Sequence, residues 1–327
     1  MAYSKYGKIE ADDLNATLIG PANSSSPSNI NSVWATGFGK GGYGQTVSVL
    51  APGYAGGGTA RPVLASQWAS LINTISAVAN HQGTAITAIT APTTGSPVLH
   101  YSSLPTNITN VYNGRNNAAV QGSSSTTNTV NSSTWFNAIT FTQTVTFASG
   151  NAARYFFNAG GQLALTFTHP TGSGINGLFN ALGTACGTLV ISSPNSGTVS
   201  IASTGYNGIQ KIGGSGSTTT LLPNVGYWGM TGTNQEVFKQ FGGSFTGGSG
   251  ASYSQNYLSV NVRTNGSQGA DGDNGSTITI TTLWDESPNG LTAQAGTTVS
   301  LTVRPPSTTY LTNSWGTPSV SGSVSGQ

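Results

Sequence analysis

The sequence predicts a mainly β protein: an antiparallel, jelly-roll-like β-sandwich over residues 126–327, preceded by a region of short helices and loops over residues 1–125. Two observations carry that expectation. In the second part apolar residues alternate with Thr and Ser at a period of two, the signature of strands with one face in a core. The first part has a helical period instead, broken repeatedly by Gly, Pro, Ser and Asn.

Composition sets the terms. Asp, Glu, Lys and Arg make up 6% of the chain, against about 25% in an ordinary soluble domain, so the surface has to be built from Ser, Thr, Asn, Gln and Gly. Aromatics at 9% and a net charge of +2 set it apart from disordered chains, which combine few aromatics with high charge. The ten Lys and Arg are scattered, which argues against a phosphate-binding face and so against a nucleic-acid partner. The lone Cys186, within LFNALGTACGTLV, reads as a buried thiol in a chain made in a reducing cytoplasm. MAYSKYGKIEADDLNATLIG lacks the apolar core of a signal peptide, and no apolar run reaches the length of about 18 residues that a membrane span requires. Neither export nor a membrane span is expected.

In chain order, IEADDLNATLIG places Ile9, Leu14 and Leu18 near one face of a short helix that ends at Gly20 and Pro21. GFGKGGYGQTVSVLAPGYAGGGTARP then alternates glycine with aromatics as a loop does, and contains no phosphate-loop pattern. The clearest helix is LASQWASLINTISAVANHQG, about residues 65–82, with Ser66 as N-cap and Gly83 as stop. Its stripe of Trp68, Leu71, Ile72, Ile75 and Val78 reads as a packing face, against its own domain or a neighbouring subunit, and is the proposed assembly face. TNITNVYNGRN puts Ile108, Val111 and Tyr112 on a second helical face before Gly114, and NNAAVQGSSSTTNTVNSS reads as a linker at the domain boundary.

Strands are expected around Ile139, Phe141, Val145 and Phe147; Leu163, Leu165 and Phe167; Leu258, Val260 and Val262; Ile278, Ile280 and Trp284; and Val299, Leu301 and Val303. Shorter ones fall near Leu189–Ile191 and Val199–Ile201. GINGLFNALGTACG supplies one short helix, about residues 175–185, through Ile175, Leu178, Phe179 and Leu182. The tail TPSVSGSVSGQ is flexible unless it pairs with something.

Little in the chain points to catalysis. His81, His100 and His169 are far apart and in no metal-ligand spacing. Asp271 and Asp273 in NGSQGADGDNGS lack the closing Glu of a calcium loop and read as a polar hairpin turn. Asp285 and Glu286 are adjacent, so on a strand they face opposite ways, Glu236 is isolated, and no activated serine pattern is present. No enzyme activity, metal or cofactor is expected.

The most pointed motif is ASGNAARYFFNAGGQLALTFTH. A helical turn leads into the anchors Tyr155, Phe156 and Phe157, and Gly160 and Gly161 tolerate the reversal into the next strand. This is a structural corner closing one end of the sandwich, with a sugar-stacking platform as its functional rival. Here the chain resembles virion structural proteins of tailed bacteriophages, of the myovirus type found on marine and cyanobacterial hosts. The resemblance rests on ARYFFNAGGQ, with residues 154–162 at its core, on GYGQTV at 42–47, and on SQWASLINTISAVANHQG with Trp68 and its His81-Gln82-Gly83 ending.

It implies a non-enzymatic virion component, associated with the tail, baseplate or neck. Such a component docks to neighbouring virion proteins through its N-terminal region and forms a homo-oligomer, a trimer or hexamer. A capsid decoration protein is one alternative. Another is a host-surface glycan-binding module of a tail fibre, with Tyr206, Tyr227, Trp228, Tyr253 and Tyr257 stacking on sugars.

Overall fold

A computed structural model describes residues 15–20, 29–34, 42–48, 64–94, 101–194, 197–215, 219–221, 225–242, 253–269, 272–273, 275–286 and 290–326. The fold is mixed α/β, 33% strand and 25% helix, with several antiparallel sheets, helices towards the N-terminus and no closed barrel among the described residues. Helix is more abundant than a mainly β chain implies, and in the second half a helix at Gly150–Asn158 joins the expected one at Ile175–Cys186. The chain divides into two compact units. The first is Met1–Val120 with Ser200–Ser203 and Ser307–Ser314; the second is Gln121–Val199, Thr204–Pro306 and Trp315–Gln327.

In the first unit, α1 spans Asn31–Trp34, α2 Ala65–Gln82 and α3 Leu104–Asn113. The α2 stripe is buried inside the chain's own fold: Trp68, Leu71, Ile72, Ile75 and Val78 are all at most 4% exposed, and Ile72 and Ile75 share a narrow crevice with Leu104 and Asn107. This corrects the assembly-face reading, since a stripe already buried within the fold leaves no apolar surface for a neighbour. The cap differs as well. Leu64 holds the N-cap position, its N–H donating to Gln67 Oε1 at 2.8 Å, and Ser66 lies inside the helix. Gly83 ends α2 with φ +67°, a left-handed conformation that favours glycine. Residues 15–19 form a single π-helical turn with Leu18 and Ile19 buried, while Ile9 and Leu14 lie outside the described residues.

With so few charges, this unit is tied together by buried amide side chains that take the place of a backbone ladder. Asn107 donates to the Thr87 carbonyl at 2.8 Å and accepts from the Thr87 N–H at 2.9 Å. Asn31 does the same at Val47, donating at 3.2 Å and accepting at 3.1 Å, and also donates to the Gly20 carbonyl. Gln45 donates to the Thr312 carbonyl at 2.8 Å and accepts from the Thr312 N–H at 3.2 Å, so it grips a segment 267 residues away. Each amide pairs with both backbone groups of one distant residue, and at Val47 those groups are buried and would otherwise go unpaired.

Among the described residues the second unit contains eleven principal strands: β1 Ser125–Val130, β2 Ala138–Thr146, β3 Gln162–Thr168, β4 Thr188–Ile191, β5 Ile209–Ile212, β6 Thr219–Leu221, β7 Gln235–Phe241, β8 Tyr257–Thr264, β9 Thr277–Asp285, β10 Thr298–Arg304 and β11 Ser319–Ser325. A six-stranded sheet runs β6-β7-β8-β9-β2-β11 and a five-stranded sheet runs β1-β10-β3-β4-β5. Every neighbouring pair in both is antiparallel. The expected apolar residues form the inner rows: Leu258, Trp284 and Ile139 lie in one register line, and Val299, Phe167, Leu301 and Leu165 pair across the other sheet. All are at most 3% exposed. The sheets meet where Phe167 of β3 stacks on Phe238 of β7 and where Gln143 of β2 donates to the Val299 carbonyl of β10.

Helix α4, Gly150–Asn158, and helix α5, Ile175–Cys186, interrupt the strand sequence. The segment expected as a linker instead supplies β1, because its Thr and Asn pair with β10 along a full register. The segment NGSQGADGDNGS carries a two-stranded turn pairing Gln268–Gly269 with Gly272–Asp273, and Asp271 lies outside the described residues.

Candidate functional site

The corner motif folds as a capped helix. Ser149 accepts the Ala152 N–H at 3.1 Å as N-cap of α4, Phe156 and Phe157 are buried, and Tyr155 is half-buried. Phe156 meets Phe147 edge-on at 5.2 Å, and Phe157 stacks on Tyr227 with ring centroids 4.5 Å apart and planes 11° apart. Gly160 takes φ +95°. At Gly161 a Cβ would stand 2.6 Å from the Phe156 ring and carbonyl, so no side chain fits. The corner is an internal aromatic plug, and this geometry supports the structural reading over the sugar platform.

The five rings named for sugar stacking separate into two groups. Tyr227 and Tyr253 are at most 1% exposed, and the Tyr227 hydroxyl donates to the Gly275 carbonyl at 3.1 Å. Burial removes both from any glycan face, a correction to that set. Trp228 is half-buried with its indole N–H on Asn158 Oδ1 at 2.8 Å, and Tyr206 is half-buried on a short strand.

Tyr257 belongs to a cluster built by strand register. Phe241, Tyr257 and Asp285 stand in one line across β7, β8 and β9, on the side opposite the inner rows. Phe241 and Tyr257 are 5.7 Å apart, and Lys239 Nζ sits 3.8 Å from the Tyr257 ring centroid and 5.2 Å from that of Phe241. Burial, then a hydrogen bond to the Asp285 carboxylate, pushes the Tyr257 phenol up to about 12. Two half-buried rings, a cation and a carboxylate on one sheet face can stack on and hydrogen-bond a polar ring. Sequence reasoning named Tyr257 as a candidate sugar contact and Asp285 only as a candidate carboxylate, and it missed Lys239 and Phe241. A β-bulge between Glu236 and Phe238 puts Val237 and Phe238 both inside, so the period-two signal of β7 is lost.

A second polar constellation is internal. Thr297 Oγ1 lies 2.7 Å from His169 Nδ1, His169 Nε2 lies 2.9 Å from Asn176 Oδ1, and the Trp135 indole N–H donates to Thr297 at 3.3 Å. The Gln294 N–H also donates to Asn176 Oδ1. That amide oxygen can only accept, so the pattern closes with a neutral imidazole carrying its proton on Nε2 and accepting the Thr297 hydroxyl on Nδ1. The order hydroxyl, imidazole, amide imitates a nucleophile and its base, but Thr297 is fully buried and its oxygen is already engaged by Trp135. It acts as a staple between strands.

Burial also lowers the His169 pKa, against the opposing effect of its hydrogen bond to Asn176. Below the usual imidazole value near 6.5 the unfolded chain takes up a proton that the folded one resists. The stabilisation from His169 is therefore present above about pH 6.5 and lost as pH falls through the folded value. Melting temperature measured from pH 7.5 down to pH 5 is expected to fall more for the wild type than for His169→Gln; equal slopes would remove the histidine from the account.

Cys186 is buried, and burial pushes its thiol up to about 12, which makes it inert. Glu286 is buried with a raised pKa, caused first by desolvation; its Oε1 accepts the Leu291 N–H and its N–H donates to the Asn137 carbonyl, so it fastens a loop. Among the described residues no group of three or more His, Cys, Asp or Glu is placed to hold a metal, and no helix is long and apolar enough to cross a membrane. No protein-family profile, curated protein or solved structure matches the chain.

Proposed function

We propose that the protein is a non-enzymatic structural component of a tailed phage particle, associated with its tail, baseplate or neck, which self-associates and docks to neighbouring virion proteins. The second unit is proposed to be a two-layer β-sandwich, jelly-roll-like in its repeated crossings between sheets, although β3-β4-β5 and β6-β7-β8-β9 run as meanders.

The observation that carries the reading is the outer face of the six-stranded sheet. Ser321, Thr144 and Thr279 form one register line across β11, β2 and β9, and Ser323, Thr142 and Thr281 form the next. Across these three strands the lines are an uncharged hydroxyl grid, which Arg263 of β8 borders where the first line continues, and many copies can pack on such a surface without mutual repulsion. The resemblance at ARYFFNAGGQ and GYGQTV supports the same reading, and the structure gives both motifs packing roles: the aromatic plug, and the Gln45 grip on residues 307–314. With the α2 stripe covered, docking falls to surfaces other than that stripe.

The test is whether the chain travels with intact particles through a density gradient. A second reading, glycan contact, is favoured by the Lys239, Phe241, Tyr257 and Asp285 cluster alone. Particles carrying Tyr257→Ala that retain the chain but lose adsorption to host cells would select it.

A further inference from the structure

Among the described residues the last strand, β11, forms an unprotected edge. There it pairs along all seven residues with β2 and with no other strand of the sheet, which it terminates. Ser319, Ser321, Gly322, Ser323 and Ser325 are exposed, and Val320 and Val324 are half-buried. Natural sheets guard such edges with lysine, proline, bulges or a covering segment. Here the register to β2 is unbroken, the strand contains no proline, and no charged residue occurs after Arg304. The strand is also fixed in place: a Cβ on Gly322 would fall 2.0 Å from Thr129 Oγ1, so β1 lies directly against it and only glycine fits there.

The strand sequence identifies the occupant. Residues 319–325 read Ser-Val-Ser-Gly-Ser-Val-Ser, a palindrome about Gly322. Two copies running antiparallel through a two-fold axis at Gly322 put position 319 opposite 325, 320 opposite 324, and 321 opposite 323. Valine then meets valine and serine meets serine, with one face inward in both copies.

We propose that β11 is a homotypic docking edge, through which a second copy of this chain pairs antiparallel and joins two six-stranded sheets into one of twelve strands. The inference rests on the self-association reading above and supplies its geometry. The open N–H and C=O groups give affinity, and the low charge lets the copies approach.

The test is the mass of the full chain in solution, by sedimentation velocity at low salt, for the wild type and two double variants at exposed positions. In Ser321→Lys with Ser323→Lys, each introduced lysine faces an introduced lysine of the second copy. In Ser321→Lys with Ser323→Asp, each lysine faces an aspartate. The wild type is expected to be a dimer or an even multiple of one. The double-lysine variant should weaken association at least tenfold, and the lysine–aspartate variant should keep it. All three should show the same circular dichroism. A wild type that stays monomeric overturns the second-copy occupant. A double-lysine variant that keeps its mass, or two variants that lose it equally, overturns the edge while leaving self-association standing.

Discussion

Phe157→Ala is expected to lower the stability of the second unit by about 3–5 kcal/mol, as for large-to-small changes at other fully buried phenylalanines. Phe157 is 1% exposed and touches three other rings: Tyr227 face to face, and Phe156 and Phe147 at 5.1 and 6.2 Å. Truncation removes the stacking partner of a tyrosine whose hydroxyl is pinned to the Gly275 carbonyl, so the ring cannot follow into the gap. Phe157→Leu should cost less than the alanine change, because it keeps volume and loses only the stack. Urea unfolding followed by tryptophan fluorescence measures both. A loss under about 1 kcal/mol for the alanine variant would mean that the corner is not a plug.

Gln45→Ala should act on the first unit alone. Removing the amide leaves the Thr312 N–H and carbonyl without the partner each now has, and takes a donor from Ser314 Oγ. Thr312 is exposed, so water can take over these groups and each lost bond costs about 0.5–1.5 kcal/mol. The local result is release of residues 307–314, read as faster amide hydrogen exchange at Thr312 with unchanged protection in β8 and β9. Gln45→Asn should not restore protection, since it is one methylene too short to reach both backbone groups. Unchanged exchange at Thr312 would show that the segment is held by something other than this grip.

The strands most legible in the sequence are those whose two faces differ most. Along β2, β9 and β10 the buried positions alternate regularly with hydroxyl positions, and each was readable from Ile139, Ile278 or Val299 onward. The unread strands lack that contrast. The bulge in β7 places two neighbouring residues inside, β1 has a single buried residue, Thr129, and β11 has none. Pairing, rather than burial, makes the last two into strands, and pairing partners are not written in the local sequence.

The site followed the same division. The spacing of Trp68, Leu71, Ile72, Ile75 and Val78 identified a packing face but not what it packs against; burial within the fold, with α3 against Ile72 and Ile75, answered that. Phe241 and Lys239 join Tyr257 only through register between β7 and β8, which no single-strand pattern contains. The grip of Gln45 on Thr312 spans 267 residues, and its only local trace is a glutamine beside Tyr43 in a glycine-rich loop.

The central claim is that this chain is a built-in part of a particle, held by neutral contacts. The measurement that tests it most directly is the amount of the protein in particles purified on a density gradient, before and after washing in about 1 M salt, where charge interactions are screened within roughly 3 Å. The account predicts a fixed number of copies per particle that the wash does not reduce. Particles that lack the protein, or that release it in salt, would contradict it.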